Sequence, residues 1–303
     1  MEHITLSVEV AAALASGQPV VALESTIISH GLPRPDNLEL ARALEAMVRD
    51  AGAVPATIAV LDGVVRIGLA PDDLERLAAD PDIGKLSVRD LAPAIAAGIS
   101  GATTVAATAH LAARAGIEVF ATGGLGGVHP APRPAGAQWD VSADLDTLAR
   151  TPIAVVCSGV KSLLDVPATL ERLETLGVAV VGYGTDDFPG FYVRRTGLRA
   201  PWRVDSPAQA AALLRARTAL GVPAAVIVAN PVPGPAELDP TLHDAALHQA
   251  LTAADTEGVR GPDLTPFLLA ALASATDGAA VAANVALAES NAELAARIAV
   301  ELA

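Results

Sequence analysis

A chain of 303 residues with a formal net charge of −14 is a poor binder of polymeric nucleic acid, which requires lysine and arginine to displace phosphate counterions. Hydrophobic residues make up 52% of the chain and aromatic residues 3%, so the core must consist of Ala, Val, Leu and Ile side chains. The single cysteine excludes an intrachain disulfide, and the first residues lack the basic start and apolar core of a signal peptide. We therefore expect a soluble, cytoplasmic protein.

Six short apolar segments recur along the chain and are typical of strands that are buried on both faces of a sheet. They cover residues 19–25, 56–63, 117–124, 153–159, 178–184 and 224–230. Segments with helical spacing, such as 36–52 and 166–177, lie between most of them, with Asp36 or Asn37 as the predicted N-cap of the first. Gly52 and Gly177 mark the predicted ends of these helices. This alternation predicts a largely parallel sheet in an α/β sandwich.

Two stretches in the first half of the chain refine this prediction. Residues 57–69 read as a hairpin around Asp62-Gly63, which makes the sheet mixed. Residues 91–113 are long and uncharged enough to raise the question of a membrane span. Their small and hydroxyl-bearing residues instead favour two packed segments with a glycine turn between them, so we expect no membrane contact.

The last third of the chain, from about residue 240, has helical patterns. The Pro-rich segments 129–138 and 230–240 are predicted loops. Apolar strand or helix patterns resume on both sides of each loop, so neither resembles a domain linker. We therefore expect one domain that covers residues 1–303.

Polar residues or glycines follow many of the predicted strands. Glu24 lies at the end of the first predicted strand, and the loop GGLGG (123–127) and His129 follow the third strand. Lys161 follows the fourth strand and Asn230 follows the sixth. In open α/β sheets, ligands bind at the carboxyl ends of the strands, so these residues should converge. The glycine loop is either a tight turn that lets backbones approach closely or a loop whose N–H groups meet an anion.

The chain has only two lysines, Lys85 and Lys161. A site that needs a neutral amine cannot accept arginine, because guanidinium does not deprotonate in proteins. Lys161 follows an apolar strand and is therefore a candidate nucleophile; the alternative is a strand-end lysine whose amine reaches solvent. Lys85 is either a site residue or a surface cation.

Three acidic residues stand out. Glu24 interrupts an apolar strand, and a buried glutamate is rare unless it is paired or functional. Asp140 and Asp144 are four residues apart, on one face if the segment is helical, and two such carboxylates favour a shared divalent metal. The alternative is that Ser142 or Asp140 caps a helix there. An amine, a buried acid, a metal site and a glycine loop together suit Schiff-base chemistry on a phosphorylated sugar.

The motifs that carry these residues resemble one known family. VALESTIISHGLPRPDNLELA, GATTVAAT, ATGGLGGVH, DVSADL, VVCSGVKSLLD, VIVANP and TPFLL occur in the order found in the pseudouridine-5′-phosphate glycosidase family, also called indigoidine synthase A-like. The resemblance runs from about residue 4 to residue 302. LESTIISHG and CSGVKS are its specific motifs.

The resemblance implies a three-layer α/β/α sandwich that assembles as a homotrimer. It also implies a manganese-dependent enzyme that cleaves the C–C glycosidic bond of pseudouridine 5′-phosphate to uracil and ribose 5-phosphate. Lys161 would be the nucleophile that forms a Schiff base at C1′, Glu24 the proton donor and Asp140 the Mn²⁺ ligand. The implied substrate-binding residues are Lys85, Val105, His129, Ser142, Ala143, Asp144 and Asn284.

Residues 130–139 form a longer and more Pro/Ala-rich loop than is usual in this family, and they border the predicted site. Two other functions stay open. A Schiff-base aldolase on another sugar phosphate would also use Lys161, and a non-catalytic sugar-phosphate-binding protein would need the cations and the glycine loop but not Glu24 with a neutral amine.

Overall fold

The structure is a computed structural model that describes residues 3–32, 34–130, 140–259 and 264–303. Residues 131–139, which make up most of the predicted Pro-rich loop, lie outside the described residues.

Within the described residues, eleven strands form one sheet. The strands are β1 (Ile4–Leu6), β2 (Val20–Leu23), β3 (Val54–Leu61), β4 (Val64–Ile67), β5 (Gly84–Leu86), β6 (Gly101–Thr103), β7 (Val119–Ala121), β8 (Ala154–Cys157), β9 (Ala179–Tyr183), β10 (Trp202–Val204) and β11 (Val226–Ala229). The helices are α1 (Val8–Ala15), α2 (Thr26–Ser29), α3 (Asp36–Asp50), α4 (Pro71–Ala79), α5 (Val88–Ala97), α6 (Val105–Arg114), α7 (Ala143–Leu148), α8 (Val166–Thr175), α9 (Pro207–Ala219), α10 (Pro240–Glu257), α11 (Leu264–Ala275) and α12 (Ala279–Leu302). All six predicted strands are confirmed.

The sheet is mixed and mostly parallel, as predicted. Its strand order is β1-β4-β3-β2-β7-β8-β11-β9-β10, with β6 paired to β3 and β5 paired to β6. β3 pairs antiparallel with β4 and β6, and the other pairs are parallel. The predicted hairpin is the β3–β4 pair, in which Leu61 faces Val64 across Asp62 and Gly63. Both turn residues have positive φ, 51° and 74°, as a two-residue hairpin turn requires.

The central strands are buried on both faces, which makes the fold a three-layer α/β/α sandwich. In β2, Val20 and Ala22 belong to one hydrophobic cluster, whereas Val21 and Leu23 belong to another. This alternation is the period of two that a strand requires. The first cluster includes residues of α1, α5, α6, α7 and α8, and the second includes residues of α3, α9 and α12. The near absence of polar positions in these strands follows from the two apolar layers.

Residues 91–113 form two helices that are separated by a glycine turn, as predicted, and by one short strand. α5 ends at Gly98, which has a φ of +67°, and β6 lies between it and α6. No single helix within the described residues is long and apolar enough to cross a membrane. α12 and the part of α11 from Phe267 onward are long and apolar enough only when they are taken together, and they are bent by 115° where they join.

The predicted N-cap of α3 is wrong. The helix begins at Asp36 itself, and the capping position is Pro35. The Asn37 side chain instead donates hydrogen bonds to the carbonyl oxygens of Ile28, at 2.9 Å, and Ala78, at 3.2 Å. Asn37 therefore ties α3 to α2 and α4, and this tertiary role could not be read from its local sequence.

The loop after β8 passes so close to a second segment that only glycine fits at residue 159. Gly159 has a φ of +90°, and a Cβ atom there would lie 2.2 Å from the carbonyl oxygen of Pro189. Gly177 provides a control, because its φ is +71° and a Cβ there would have no neighbour within 4 Å.

We expect Gly177→Ala to lower the free energy of unfolding by about 1–2 kcal/mol, the cost of a left-handed backbone for a non-glycine residue. Gly159→Ala should cost about 1–3 kcal/mol more, because the clash adds to the same backbone strain. Urea denaturation at equilibrium measures both values. Equal losses in the two variants would show that the loop relaxes away from Pro189.

Candidate active site

The candidate site lies at the edge of the sheet where the adjacent parallel strands β2, β7 and β8 end. Glu24 follows β2, Thr122 follows β7, and Ser158 and Lys161 follow β8. The structure thus brings Glu24 and Lys161 to one place, as the prediction of a parallel sheet required.

Two adjoining cavities open at this edge, and both are lined by Glu24, Thr26, Lys85 and Lys161. We call the first the polar cavity; its volume of about 440 Å³ is within the range of roughly 300–1,000 Å³ that small-molecule sites occupy. Its other lining residues include Ser87, Arg89, Thr104, Val105, Gly126, His129, Asp140, Ser142, Ala143 and Asp144. We call the second the apolar cavity, and its other lining residues are Ile27, His30, Gly31, Gly123, Gly124, Phe191, Leu269 and Asn284. Every site residue that the family resemblance implied therefore lines one or both cavities, whereas Asn230 lines neither.

Glu24 is buried and its carboxylate is held in one orientation. Its side chain is among the buried polar groups, with 6% of the residue exposed. The hydroxyl of Thr26 donates a hydrogen bond to Oε2, and the hydroxyl of Thr122 donates one to Oε1. Two donors, one at the start of α2 and one at the end of β7, fix the carboxylate at the point where both cavities meet, and this is the preorganisation that a proton-transfer group needs.

The loop that carries Lys161 is attached to the glycine loop. The backbone N–H of Lys161 donates to the carbonyl oxygen of Leu125 at 3.0 Å, and the N–H of Leu125 donates to that of Gly159 at 2.9 Å. This ladder continues the parallel pairing of β7 and β8 beyond the strands. The position of Lys161 therefore depends on residues 123–127.

Lys85 lies in β5 and reaches both cavities beside Lys161. Partial burial lowers the pKa of Lys85, and the nearby positive charge of Lys161 lowers it further, while Glu24 and Asp144 oppose the shift. Two cations this close together in an otherwise acidic protein create a local attraction for anions. Burial also lowers the pKa of His30 and of His129, so both imidazoles are neutral bases at neutral pH.

Three helix N-termini border the polar cavity. The N-cap residues Ser87 of α5, Thr104 of α6 and Ser142 of α7 all line it. Backbone N–H groups and the helix dipole favour an anion at such positions, although the Ala106 N–H at the start of α6 already donates to Asp144. Together with Lys85 and the exposed Arg89, they make this cavity suitable for a phosphate group.

The glycine loop combines both functions that the sequence left open, but its anion belongs to the protein itself. The N–H groups of Gly126 and Ala106 each donate to the carboxylate of Asp144 at 2.8 Å. A Cβ atom at Gly126 would lie 2.3 Å from the Ser142 hydroxyl, so the loop must approach α7 closely. Asp144 thereby connects the glycine loop, the start of α6 and α7.

The prediction that Asp140 and Asp144 lie on one helix face is wrong. α7 begins at Ala143, and the Ser142 hydroxyl accepts a hydrogen bond from the Asp144 N–H at 3.2 Å, so Ser142 is the cap. Asp140 precedes the helix and does not cap it. Its side chain is 49% exposed, whereas Asp144 is buried. Asp140 is therefore the carboxylate with free coordination capacity, since both oxygens of Asp144 are already occupied by backbone donors.

Only a loosely held metal fits this donor set. The described residues contain no cluster of three or more His, Cys, Asp or Glu side chains that could hold an ion. Asp140 faces the polar cavity with the His129 Nε2 atom 3.9 Å from its Oδ2 atom. Hard divalent ions often keep several waters and are bound by one or two carboxylates together with substrate oxygens. Asp140 suits Mn²⁺ in that manner.

Sequence reasoning assigned no role to Thr26, Thr122, His30 or Phe191. The two threonines hold Glu24, and the other two residues line the apolar cavity. Thr26 and His30 lie inside the LESTIISHG motif, which was a usable signal. Thr122 and Phe191 have no such signal, because their contacts join segments far apart in the chain.

Known proteins are similar to this chain over nearly its whole length. Residues 9–301 match the family model described as indigoidine synthase A like protein. The chain is 63% identical over 299 residues to a protein of Streptomyces griseus named pseudouridine-5′-phosphate glycosidase, with 98% of this chain and 92% of that protein covered. It is 53% identical over 302 residues to a protein of the same name from Herpetosiphon aurantiacus, with 100% and 99% covered.

Two solved structures are similar over nearly the whole chain. The crystal structure of the prealnumycin C-glycosynthase AlnA in complex with ribulose 5-phosphate has a TM-score of 0.91 and 39% identity, covering 100% of this chain and 97% of that one. The structure of an indigoidine synthase A (IdgA)-like protein from Thermotoga maritima has a TM-score of 0.88 and 36% identity, covering 99% and 96%.

We expect Asp144→Ala to lower the free energy of unfolding by about 2–3 kcal/mol, because two backbone N–H groups lose their acceptor in a buried place. Asp146→Ala on the same helix is the control. Asp146 forms an exposed ion pair with Arg150, so its loss should cost less than about 1 kcal/mol. Chemical denaturation of both variants tests this. A loss at Asp144 no larger than at Asp146 would mean that the glycine loop does not depend on this carboxylate.

Proposed function

The chain belongs to the family of indigoidine synthase A-like proteins, and on this premise we propose that it is an enzyme that cleaves the C–C glycosidic bond of pseudouridine 5′-phosphate to uracil and ribose 5-phosphate. The observation that carries the proposal is that the amine of Lys161 and the held carboxylate of Glu24 line both cavities at their junction. A substrate with a phosphorylated sugar at one end and a planar base at the other would place its scissile bond there.

The polar cavity is the site we assign to ribose 5-phosphate. Its helix N-termini, Lys85 and Arg89 suit the phosphate, and Val105, Ser142, Ala143, Asp144 and His129 border the same space. A structural relative that shares 39% identity is described in complex with ribulose 5-phosphate, which supports a sugar phosphate as ligand.

The apolar cavity is the site we assign to uracil. Ile27, Phe191 and Leu269 offer apolar surface to a flat ring, and Asn284 offers an amide that can pair with the carbonyl and N–H groups of a pyrimidine. Uracil is neutral, so it needs no charged side chain among these four residues. The substrate thus lies with its charged end against the helix N-termini and its base against α12.

Lysine is suited to this bond because a C-glycoside has no leaving oxygen that a carboxylic acid could protonate. The C1′–O4′ bond of the ribose breaks as Glu24 passes a proton to O4′, and Lys161 Nζ, in its neutral form, bonds to C1′ and returns one of its own protons to Glu24. The bond between C1′ and C5 of uracil then breaks, leaving an iminium between C1′ and Nζ. Its electron pair stays on C5, which takes a proton from Glu24. Water hydrolyses the iminium and releases ribose 5-phosphate and the free amine.

Asp140 is the residue that would hold Mn²⁺, with waters and His129 nearby. The ion would supply positive charge to oxygens of the bound sugar phosphate. Homotrimer formation and a cytoplasmic location stay predictions, as does a single domain over residues 1–303.

The role of Lys161 is tested by borohydride reduction during turnover. We expect the reduction to fix a pentose phosphate on Lys161, which peptide mass spectrometry would locate. Lys161→Arg should neither turn over nor be trapped, since guanidinium cannot become a neutral nucleophile. Lys85→Arg is the control and should keep the adduct while losing about ten- to a hundredfold in kcat/KM, the worth of one charge-assisted hydrogen bond. An adduct on Lys85 would show instead that Lys85 is the nucleophile and that Lys161 binds the substrate.

The role of Asp140 is tested by Mn²⁺ binding rather than by activity. Electron paramagnetic resonance counts free Mn²⁺ in the presence of ribose 5-phosphate. We expect Asp140→Asn to weaken binding at least about tenfold, because the ion loses its carboxylate ligand. Asp146→Asn, a change at an exposed carboxylate outside the cavities, should leave binding unchanged. If Asp140→Asn binds Mn²⁺ as tightly as wild type, Asp140 is not a ligand of the metal.

A further inference from the structure

Asn291 of α12 is fully buried and makes hydrogen bonds with two strand ends of the site. Its Nδ2 atom donates to the carbonyl oxygen of Thr122 at 2.9 Å and to the hydroxyl of Ser158 at 3.1 Å. Its Oδ1 atom accepts from the Asn230 amide at 3.0 Å. One side chain therefore joins the ends of β7, β8 and β11.

Each of the first two contacts leads to a group with a proposed catalytic role. Thr122, whose carbonyl Asn291 holds, donates its own hydroxyl to Glu24. Ser158 begins the segment that leads to Lys161, and its N–H donates to the carbonyl of Gly123 at 2.9 Å. No contact between Asn291 and either cavity occurs among the described residues, so its effect on the substrate would be indirect.

The surroundings of Asn291 make a purely packing role a poor explanation. The buried face of α12 consists largely of Ala, Leu and Ile, and a buried amide costs free energy unless all its partners are present. Asn284, which lines the apolar cavity, lies two helical turns earlier on the same face. α12 thus places one amide in the apolar cavity and a second one behind the two catalytic groups.

We propose that Asn291 is a positioning residue that fixes Thr122 and Ser158 relative to each other, and thereby fixes the separation of Glu24 from Lys161. The catalytic part of this proposal rests on the proposed function. The positioning part does not, because it concerns the free protein.

Asn291→Ala tests both parts, with Ser290→Ala as the matched control. The Ser290 hydroxyl accepts from the Asn230 amide at 3.1 Å, so its removal disturbs the same network one residue away without touching Thr122 or Ser158. Asn291→Asp is the second variant in case the alanine variant does not fold. It keeps the shape and an acceptor for Asn230 but, as a carboxylate, cannot donate to Thr122.

The first measurement is hydrogen–deuterium exchange in the free protein. We expect both Asn291 variants to exchange faster than wild type in segments 119–129 and 157–165, and Ser290→Ala to match wild type there. Unchanged exchange in these segments would overturn the proposal, whatever the substrate proves to be.

The second measurement is the split between kcat and KM with pseudouridine 5′-phosphate. We expect the Asn291 variants to lose about ten- to a hundredfold in kcat with KM within about threefold of wild type, since misplaced reacting groups slow chemistry more than binding. Ser290→Ala should stay within about twofold in both. A folded Asn291 variant with wild-type kcat overturns the catalytic part. If the wild-type protein does not turn over pseudouridine 5′-phosphate, the proposed function is refuted. Hydrogen–deuterium exchange would still show whether Asn291 positions Thr122 and Ser158.

Discussion

The structure depends on one constraint, the burial of a parallel sheet on both faces. Val20 and Ala22 pack into one apolar layer and Val21 and Leu23 into the other, so β2 has no position for a polar side chain until it ends. The same holds for β7, which pairs with β2, and for β8, which pairs with β7. Polar and reactive groups are therefore confined to the edge where these strands stop, and they become neighbours there because the strands are parallel.

Apolar patterns alone predicted six of the eleven strands among the described residues, a largely parallel sheet and the edge at which the site lies. This worked because burial on both faces leaves a continuous apolar run, which is visible in a single sequence. Glu24 and Lys161 were found for the same reason, since each breaks or follows such a run. The three-layer arrangement and most substrate contacts came from the family resemblance instead.

What the sequence did not reveal depends on contacts between distant segments. Asp140 and Asp144 have helical spacing, but the helix begins only after Ser142, and the chain there is paired with residues near Val128. The anion that the glycine loop binds is the carboxylate of Asp144 in the same chain, and no local sequence pattern predicts that contact. Asn291 lies in an Ala-rich helix, and nothing in the local sequence indicates that its amide joins three strand ends.

The position of α12 in the chain has a consequence for the order in which the protein is made. Glu24, Lys85 and Lys161 are all synthesised well before Asn284 and Asn291, because α12 follows every strand of the sheet. On a translating ribosome, where chains emerge at about 5–20 residues per second, the reactive amines exist for several seconds without the helix that packs behind them. A nascent chain therefore carries its reactive groups before they have their final support, and the arrival of one late helix converts the sheet edge into a complete site.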